Sequence, residues 1–324
     1  MSTTLDVSMD KMNISDDNIT DETATNKDND VSVCANCGKE DTDLKSCTAC
    51  KLVKYCNRDC QIAHRPQHKK ECRKRVAELH DEKLFKQPPP EEDCPICFTQ
   101  IPSLETGSQY MTCCGKLICS GCSHAPVYDN QGNKVEEKTC PFCRIPIPSS
   151  YEEAMEGENK RVDLGDPIAI CNHGNNYRDG SYGFPQDHTK ALEVWHRAGV
   201  LGYADAYLNI GYAYQFGRGV EVDKKKAKRY WELAAIGGNI VARHNLGFME
   251  MEAGNMDRAV RHYMIATRGG YSNSLNNIKE LYSEGDATKE DYMKALKLYQ
   301  EYLGEIKSPQ RDEAAAARED YRYF

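Results

Sequence analysis

No stretch of this 324-residue chain approaches the roughly eighteen apolar residues that would span a bilayer as a helix. Its first residues show no basic-then-apolar leader pattern either, so the expected location is the cytosol or nucleus and no membrane partner is called for. Trp and Phe are few, at two and seven, although nineteen Tyr bring the aromatic share to 9%, and a mean hydropathy of -0.72 describes a polar, soluble chain with room for two or three domains. A basic excess is missing too. The formal net charge of -8 argues against a nucleic-acid binder, because phosphate affinity comes from concentrated Lys and Arg. Cysteine is nearly absent outside two short stretches. Seven of the sixteen lie between Cys34 and Cys72, eight between Cys94 and Cys143, and Cys171 stands apart. In a reducing compartment such clustering marks metal ligands before disulfides.

The stretch from Cys94 to Arg144 holds the pairs Cys94 and Cys97, Cys119 and Cys122, and Cys140 and Cys143, with Cys113 and Cys114 adjacent between them. About fifty residues with few apolar runs cannot build a sufficient hydrophobic core. Zinc supplies the alternative. A C-x-x-C turn brings two thiolates to one metal, and a tetrahedral site contributes roughly 10–16 kcal/mol to folding. The order of the pairs resembles a RING finger. That resemblance implies one zinc on Cys94, Cys97, Cys119 and Cys122, and a second on Cys140 and Cys143 with ligands near Cys113 and Cys114. Lys116 stands where the family commonly has His, and a protonated Lys is no ligand. Either both vicinal thiolates bind, as ligand softness favours, or one does and His124 completes the site.

The resemblance extends to function. RING fingers of the ubiquitin-ligase kind carry an aliphatic residue in the first pair, a Pro after the seventh ligand and an Arg after the eighth, here Ile96, Pro141 and Arg144. It implies that Ile96 and Pro141 contact a ubiquitin-conjugating enzyme. Arg144 would bridge that enzyme and its ubiquitin, a guanidinium fork serving two acceptors at once. Catalysis would then come from holding the thioester in a reactive geometry, without a nucleophile on this chain. Leu117 and Phe142 are expected to pack between the zinc loops. Pro126 stands where the family often has a large aromatic or aliphatic residue, which keeps a non-catalytic adaptor as the alternative.

The first cluster has eight soft ligands, Cys34, Cys37, Cys47, Cys50, Cys56, Cys60, His68 and Cys72, enough for two complete sites. It resembles a MYND finger, including the run from Cys50 to Cys56 and the terminal His68-Lys69-Lys70-Glu71-Cys72. That implies one zinc on Cys34, Cys37, Cys56 and Cys60 and another on Cys47, Cys50, His68 and Cys72, four ions in the whole chain. His64 is expected outside the metal shell. MYND fingers take proline-containing peptides in a shallow groove. Gln61 matches a groove residue, whereas Arg65 replaces the usual Trp and removes an aromatic platform.

The last half repeats. Ala191 and Ala227, Trp195 and Trp231, Gly202 and Gly238, and Ala206 and Ala242 are each 36 apart. Ala259, Tyr263, Ala266 and Gly270 follow Ala227, Trp231, Ala234 and Gly238 after 32, the shortfall lying near Gly254 and Asn255. Such a period means an α-solenoid of helix pairs. The units resemble Sel1-like repeats, relatives of the tetratricopeptide repeat, which implies protein partners. Trp195, Trp231, Tyr207, Tyr212 and Tyr214 are expected in the core, and Cys171, His173, His196, His244 and His262 in structural roles.

The expected fold is mainly α: a solenoid preceded by two small zinc-stapled domains and an acidic disordered tail. The boundaries are tail 1–32, MYND finger 33–73, helix and Pro-rich linker 74–91, RING-like finger 92–148, linker or short acidic helix 149–165, solenoid 166–307 and capping helix 308–324. The helix ahead of the prolines should run from Arg73 to Phe85. The last helix, with Arg311, Asp312, Glu313, Arg318, Glu319 and Asp320, suits a polar cap on the solenoid's open end. The function expected is a RING-type ubiquitin ligase whose repeats and MYND finger recruit protein substrates.

Overall fold

The computed structural model describes residues 32–89, 92–103, 107–128, 131–134 and 138–323. The expected disordered tail therefore lies, but for Ser32, outside the described residues. The chain divides between Leu79 and His80 into two compact units.

In the first unit, β1 (Ser32–Val33) pairs antiparallel with β2 (Glu40–Asp41), and β3 (Lys45–Ser46) with β4 (Lys54–Tyr55). Ribbons this short have no stability of their own. Their core is Cys34, Cys47, Cys50 and Tyr55, so the cysteines themselves occupy the place of an apolar interior. Helix α1 follows over Arg58–Leu84, with Pro66 inside it. It begins fifteen residues before the expected Arg73 start. Beyond Pro66 it is rich in Lys, Arg, Glu and Gln, good helix formers that carry it on to the prolines.

In the second unit, β5 (Ser108–Met111) and β6 (Lys116–Cys119) form a hairpin, followed by the short helix α2 (Ser120–His124). The segment expected as linker or acidic helix is helical, α3 (Tyr151–Asp163), N-capped by Ser150. Four helix pairs then make the solenoid: α4 (Pro167–Asp179) with α5 (His188–Val200), α6 (Ala204–Phe216) with α7 (Lys224–Ile236), α8 (Ile240–Glu252) with α9 (Met256–Arg268), and α10 (Ser272–Glu284) with α11 (Lys289–Ile306). Asp166, Asp187, Asp223 and Asn239 cap helix starts with their side chains, each satisfying N–H groups that have no partner inside the helix. The connection from α8 to α9 is the shortened one, as the spacing predicts.

The repeated glycines have a packing reason. A Cβ at Gly174 would lie 2.4 Å from the Trp195 ring, one at Gly211 2.3 Å from Trp231, and one at Gly247 2.6 Å from Tyr263. Each buried aromatic thus seats against the bare backbone of the helix before it. Tyr214 is buried, while Tyr207 and Tyr212 are half-buried against the same core. The last residues of α1 also join this core. Leu84 is buried among Trp231, Ala235 and Leu246, Arg243 donates to the Leu84 carbonyl, and the Phe85 ring lies 4.6 Å from His262 and 3.7 Å from the Arg261 guanidinium.

Both ends of the solenoid meet the second cysteine-rich module. At one end Arg161 donates to the carbonyls of Thr112 and Cys113, and the Tyr110 hydroxyl donates to Asp166 at 2.6 Å. At the other, the Ser103 N–H donates to the Tyr302 hydroxyl and Gln109 to that of Tyr321. Helix α12 (Pro309–Ala317) packs on α2. The expected polar cap is therefore polar on one face only, since Arg311 and Ala314 are buried against the module. No described helix is long and apolar enough to cross a membrane.

Candidate metal centres and the adjoining cleft

Four C-x-x-C segments fold into one recurring turn. The N–H of Gly38, Lys51, Phe98 or Arg144 donates at 2.9 Å to the carbonyl of the first cysteine, Cys34, Cys47, Cys94 or Cys140 respectively. All four closing residues have positive φ, between 56° and 73°. The turns aim their N–H groups at the first sulfur. Those of Cys37 and Cys56 bring the Cys34 thiol down to about 6. A bond from Cys119 opens the way for Cys94, which reaches about 4 against the opposing effect of burial and with help from backbone N–H groups of Cys119 and Cys97. Burial pushes the Cys140 thiol up, and the N–H groups of Cys143 and Phe142 more than offset it. Each turn is built to hold an anionic sulfur.

The side chains gather in four quartets whose ligand atoms lie within 4.8 Å of one another: Cys34, Cys37, Cys56, Cys60; Cys47, Cys50, His68, Cys72; Cys94, Cys97, Cys119, Cys122; and Cys113, Cys114, Cys140, Cys143. A tetrahedron of roughly 2.3 Å zinc–sulfur bonds separates its sulfurs by about 3.8 Å. Observed separations are 3.7 Å for Cys37 and Cys56, 3.9 Å for Cys47 and Cys72, 3.7 Å for Cys97 and Cys119, and 3.9 Å for Cys114 and Cys140. His68 Nε2 lies 3.3 Å from Cys50 Sγ. Soft donors at these separations suit zinc.

The open question at the vicinal pair has a geometric answer: both thiols face the fourth quartet. The N–H groups of Cys114 and Gly115 turn back onto the Met111 carbonyl, and Gly115 adopts φ of 68°, which folds the hairpin tip tightly enough to present adjacent sulfurs together. His124 lies outside, edge-on to Tyr321 at 6.1 Å. His64 is also outside a quartet. Its Nδ1 is 3.0 Å from the Tyr55 hydroxyl and its ring stacks on His68, which orients that ring.

Ile96, Pro141 and Arg144 come together along one open cleft of about 450 Å³, with Pro126, Tyr128 and Gln310. Arg144 donates to the Tyr128 carbonyl at 3.4 Å. Leu117 packs in the module's core, but Phe142, expected beside it, is 44% exposed because its turn closes on cysteine ligands and leaves the middle residue outward. Gln310 and Arg311, which reach this module from α12, have no signal in the local motif. A second pocket, about 240 Å³, opens between α4 and α6 and is lined by Arg178, His188, Asn209, Tyr212, Phe216 and Arg218. Gln61 and Arg65 lie one turn apart on α1, Arg65 exposed.

The MYND finger family matches residues 34–72, and the Sel1 repeat family matches 167–202, 204–239 and 280–301. The chain carries a MYND finger and Sel1 repeats. It is similar, at 27% identity over 135 residues, to chitin synthase regulatory factor 4 of Schizosaccharomyces pombe, with 41% of this chain and 21% of that one covered. It is similar at 35% over 102 residues to the ERAD-associated E3 ubiquitin-protein ligase component HRD3B of Arabidopsis thaliana, covering 31% of this chain and 16% of that one. The chain thus spans about a fifth or less of these relatives' length. Among crystal structures, a Sel1 repeat protein from Oxalobacter formigenes is 23% identical with a TM-score of 0.42, covering 53% of this chain and 67% of that one. The protective antigen c5321 of uropathogenic Escherichia coli, with an SLR fold, has the same identity and TM-score, covering 53% and 37%. MYND finger and repeats together describe a protein-interaction molecule with zinc-binding clusters.

Proposed function

We propose that this protein is a RING-type ubiquitin-protein ligase, with residues 92–148 as the RING, zinc held by the four quartets, and the repeats and MYND finger recruiting protein substrates. One observation carries the reading. Ile96, Pro141 and Arg144 converge on a single open cleft beside two interleaved quartets, in which Cys94 and Cys97 join Cys119 and Cys122 while the vicinal pair joins Cys140 and Cys143. In this arrangement Ile96 and Pro141 offer apolar contact to a ubiquitin-conjugating enzyme. Arg144, whose N–H closes its turn and whose guanidinium donates once to the Tyr128 carbonyl, has further donors to offer that enzyme and its ubiquitin. Zinc fixes the loops, and the reaction is accelerated by orientation alone. The likeness to a protein named as a component of a ubiquitin ligase supports the same direction.

A non-catalytic adaptor is the second reading, favoured by the presence of Pro126 and Gln310 in the cleft. The two separate by discharge of ubiquitin from a panel of charged conjugating enzymes onto free lysine. The intact protein should accelerate discharge, and Arg144→Ala should lower that acceleration on the order of 10²-fold, the size of a lost orientation. No acceleration by fully zinc-loaded protein across the panel would favour the adaptor.

A further inference from the structure

Arg311 is fully buried, and its guanidinium is surrounded by carbonyl oxygens. Nη1 donates to Gln100 at 2.8 Å and to Ile306 at 2.7 Å, and Nη2 donates to Thr99 at 3.2 Å. Its Nε has no hydrogen-bond partner. Among the described residues no carboxylate pairs with it, and the neighbouring Asp312 accepts from the Tyr323 hydroxyl instead. A buried cation without a counter-ion is strongly unfavourable, and carbonyl dipoles alone do not neutralise it.

The Cys94, Cys97, Cys119 and Cys122 quartet lies on the segments that Arg311 and its helix contact: Cys119 is buried immediately before α2, on which α12 packs, and Cys122 lies within α2. A zinc ion with four thiolates carries a net charge of about minus two, which a buried site must have compensated. The approach is also provided for in the backbone. Gly121, between Cys119 and Cys122, is so close to α12 that a Cβ there would lie 2.9 Å from the Arg311 backbone nitrogen and 3.1 Å from its Cγ. Thr99, whose carbonyl Arg311 holds, also accepts from the Cys94 N–H and so closes the first turn of the same quartet.

We propose that Arg311 is the counter-charge of the Cys94, Cys97, Cys119 and Cys122 centre, so that α12 is a working part of a metal site whose ligands all lie far earlier in the chain. The assignment rests on the zinc reading. It makes Arg311 a positioning residue: it neutralises the thiolate centre and fixes the loop that closes its first turn. Zinc retention there then depends on the end of the solenoid.

The test uses the full chain, with zinc counted by native mass spectrometry, its release to a chromogenic chelator timed, and freed thiols mapped by alkylation. Arg311→Met should release one ion of the four roughly 10–100-fold faster, the usual effect of removing a group behind the ligands, and expose Cys94, Cys97, Cys119 and Cys122. Arg311→Lys should largely restore retention, and Tyr323→Phe, which loosens α12 without touching the guanidinium, should match the wild type. Release of that ion at the wild-type rate, or equal acceleration of all four, would overturn the assignment. Should Arg311→Met fail to fold, Arg311→Lys decides, since loss of that ion despite the retained charge also overturns it. A wild-type protein whose Cys94 quartet is open to alkylation would instead sink the zinc reading itself.

Discussion

The four residues that close the cysteine turns share one backbone state and differ in how well they suit it. Gly38 occupies the left-handed region without strain, while Lys51, Phe98 and Arg144 do not. Arg144 is explained by its place in the cleft. Phe98 is 77% exposed, so its side chain contributes little burial there. Phe98→Gly should stabilise the zinc-loaded protein by about 0.5–1 kcal/mol, relief of roughly 1–2 kcal/mol of strain less about 0.5–1 kcal/mol of added chain entropy. Guanidinium unfolding monitored in the presence of zinc would measure it, and a loss of stability would show that the Phe98 ring makes contacts that outweigh the strain. At this scale the grouping of the quartets was legible only through the resemblance to the MYND and RING families, because ligand type and spacing alone leave many ways to divide eight ligands between two sites. The fate of the vicinal pair was not, since it depends on the turn through Gly115. Nor was the outward Phe142, because a hydrophobic residue inside a metal turn follows the turn and not the core.

At the level of elements, the solenoid was legible from its period, and the glycines in that period mark where aromatic rings seat. Gly211→Ala would place a methyl group 2.3 Å from Trp231, and neither the ring nor the two helices can move apart without losing the shared core. Overpacking of this kind costs about 1–3 kcal/mol, and thermal unfolding followed by circular dichroism should show a lower midpoint with unchanged helix content. An unchanged midpoint would mean that the repeat interface is looser than the contact implies. Two elements were misplaced by sequence reasoning for physical causes. The helix expected from Arg73 starts at Arg58 and runs through Pro66, because the residues that follow favour helix strongly enough. Helix α12 reads as polar all round, yet it buries Arg311, and no local pattern distinguishes a solvated arginine from one whose counter-charge sits on a distant loop.

Across the second unit as a whole, the middle of the solenoid contains a histidine that must stay neutral. His262 is fully buried with both ring nitrogens unpartnered, and burial, followed by the nearby Arg243, lowers it from 6.5 to about 3. The unfolded chain binds a proton that the folded chain refuses between those values, so the contribution to stability is complete above pH 6.5 and declines as pH falls toward 3. The midpoint of the wild type should therefore drop more between pH 7 and pH 5 than that of His262→Leu, with acid effects on the metal ligands common to both proteins. Parallel curves would show that the ring is solvated on that timescale. The contacts that tie both ends of the solenoid to one cysteine-rich module have a consequence in time. Arg311 comes 211 positions after Gln100, whose carbonyl it holds. At about 5–20 residues per second, a ribosome delivers that arginine roughly ten to forty seconds after the loop it completes. During synthesis the module waits with one wall missing until α12 emerges.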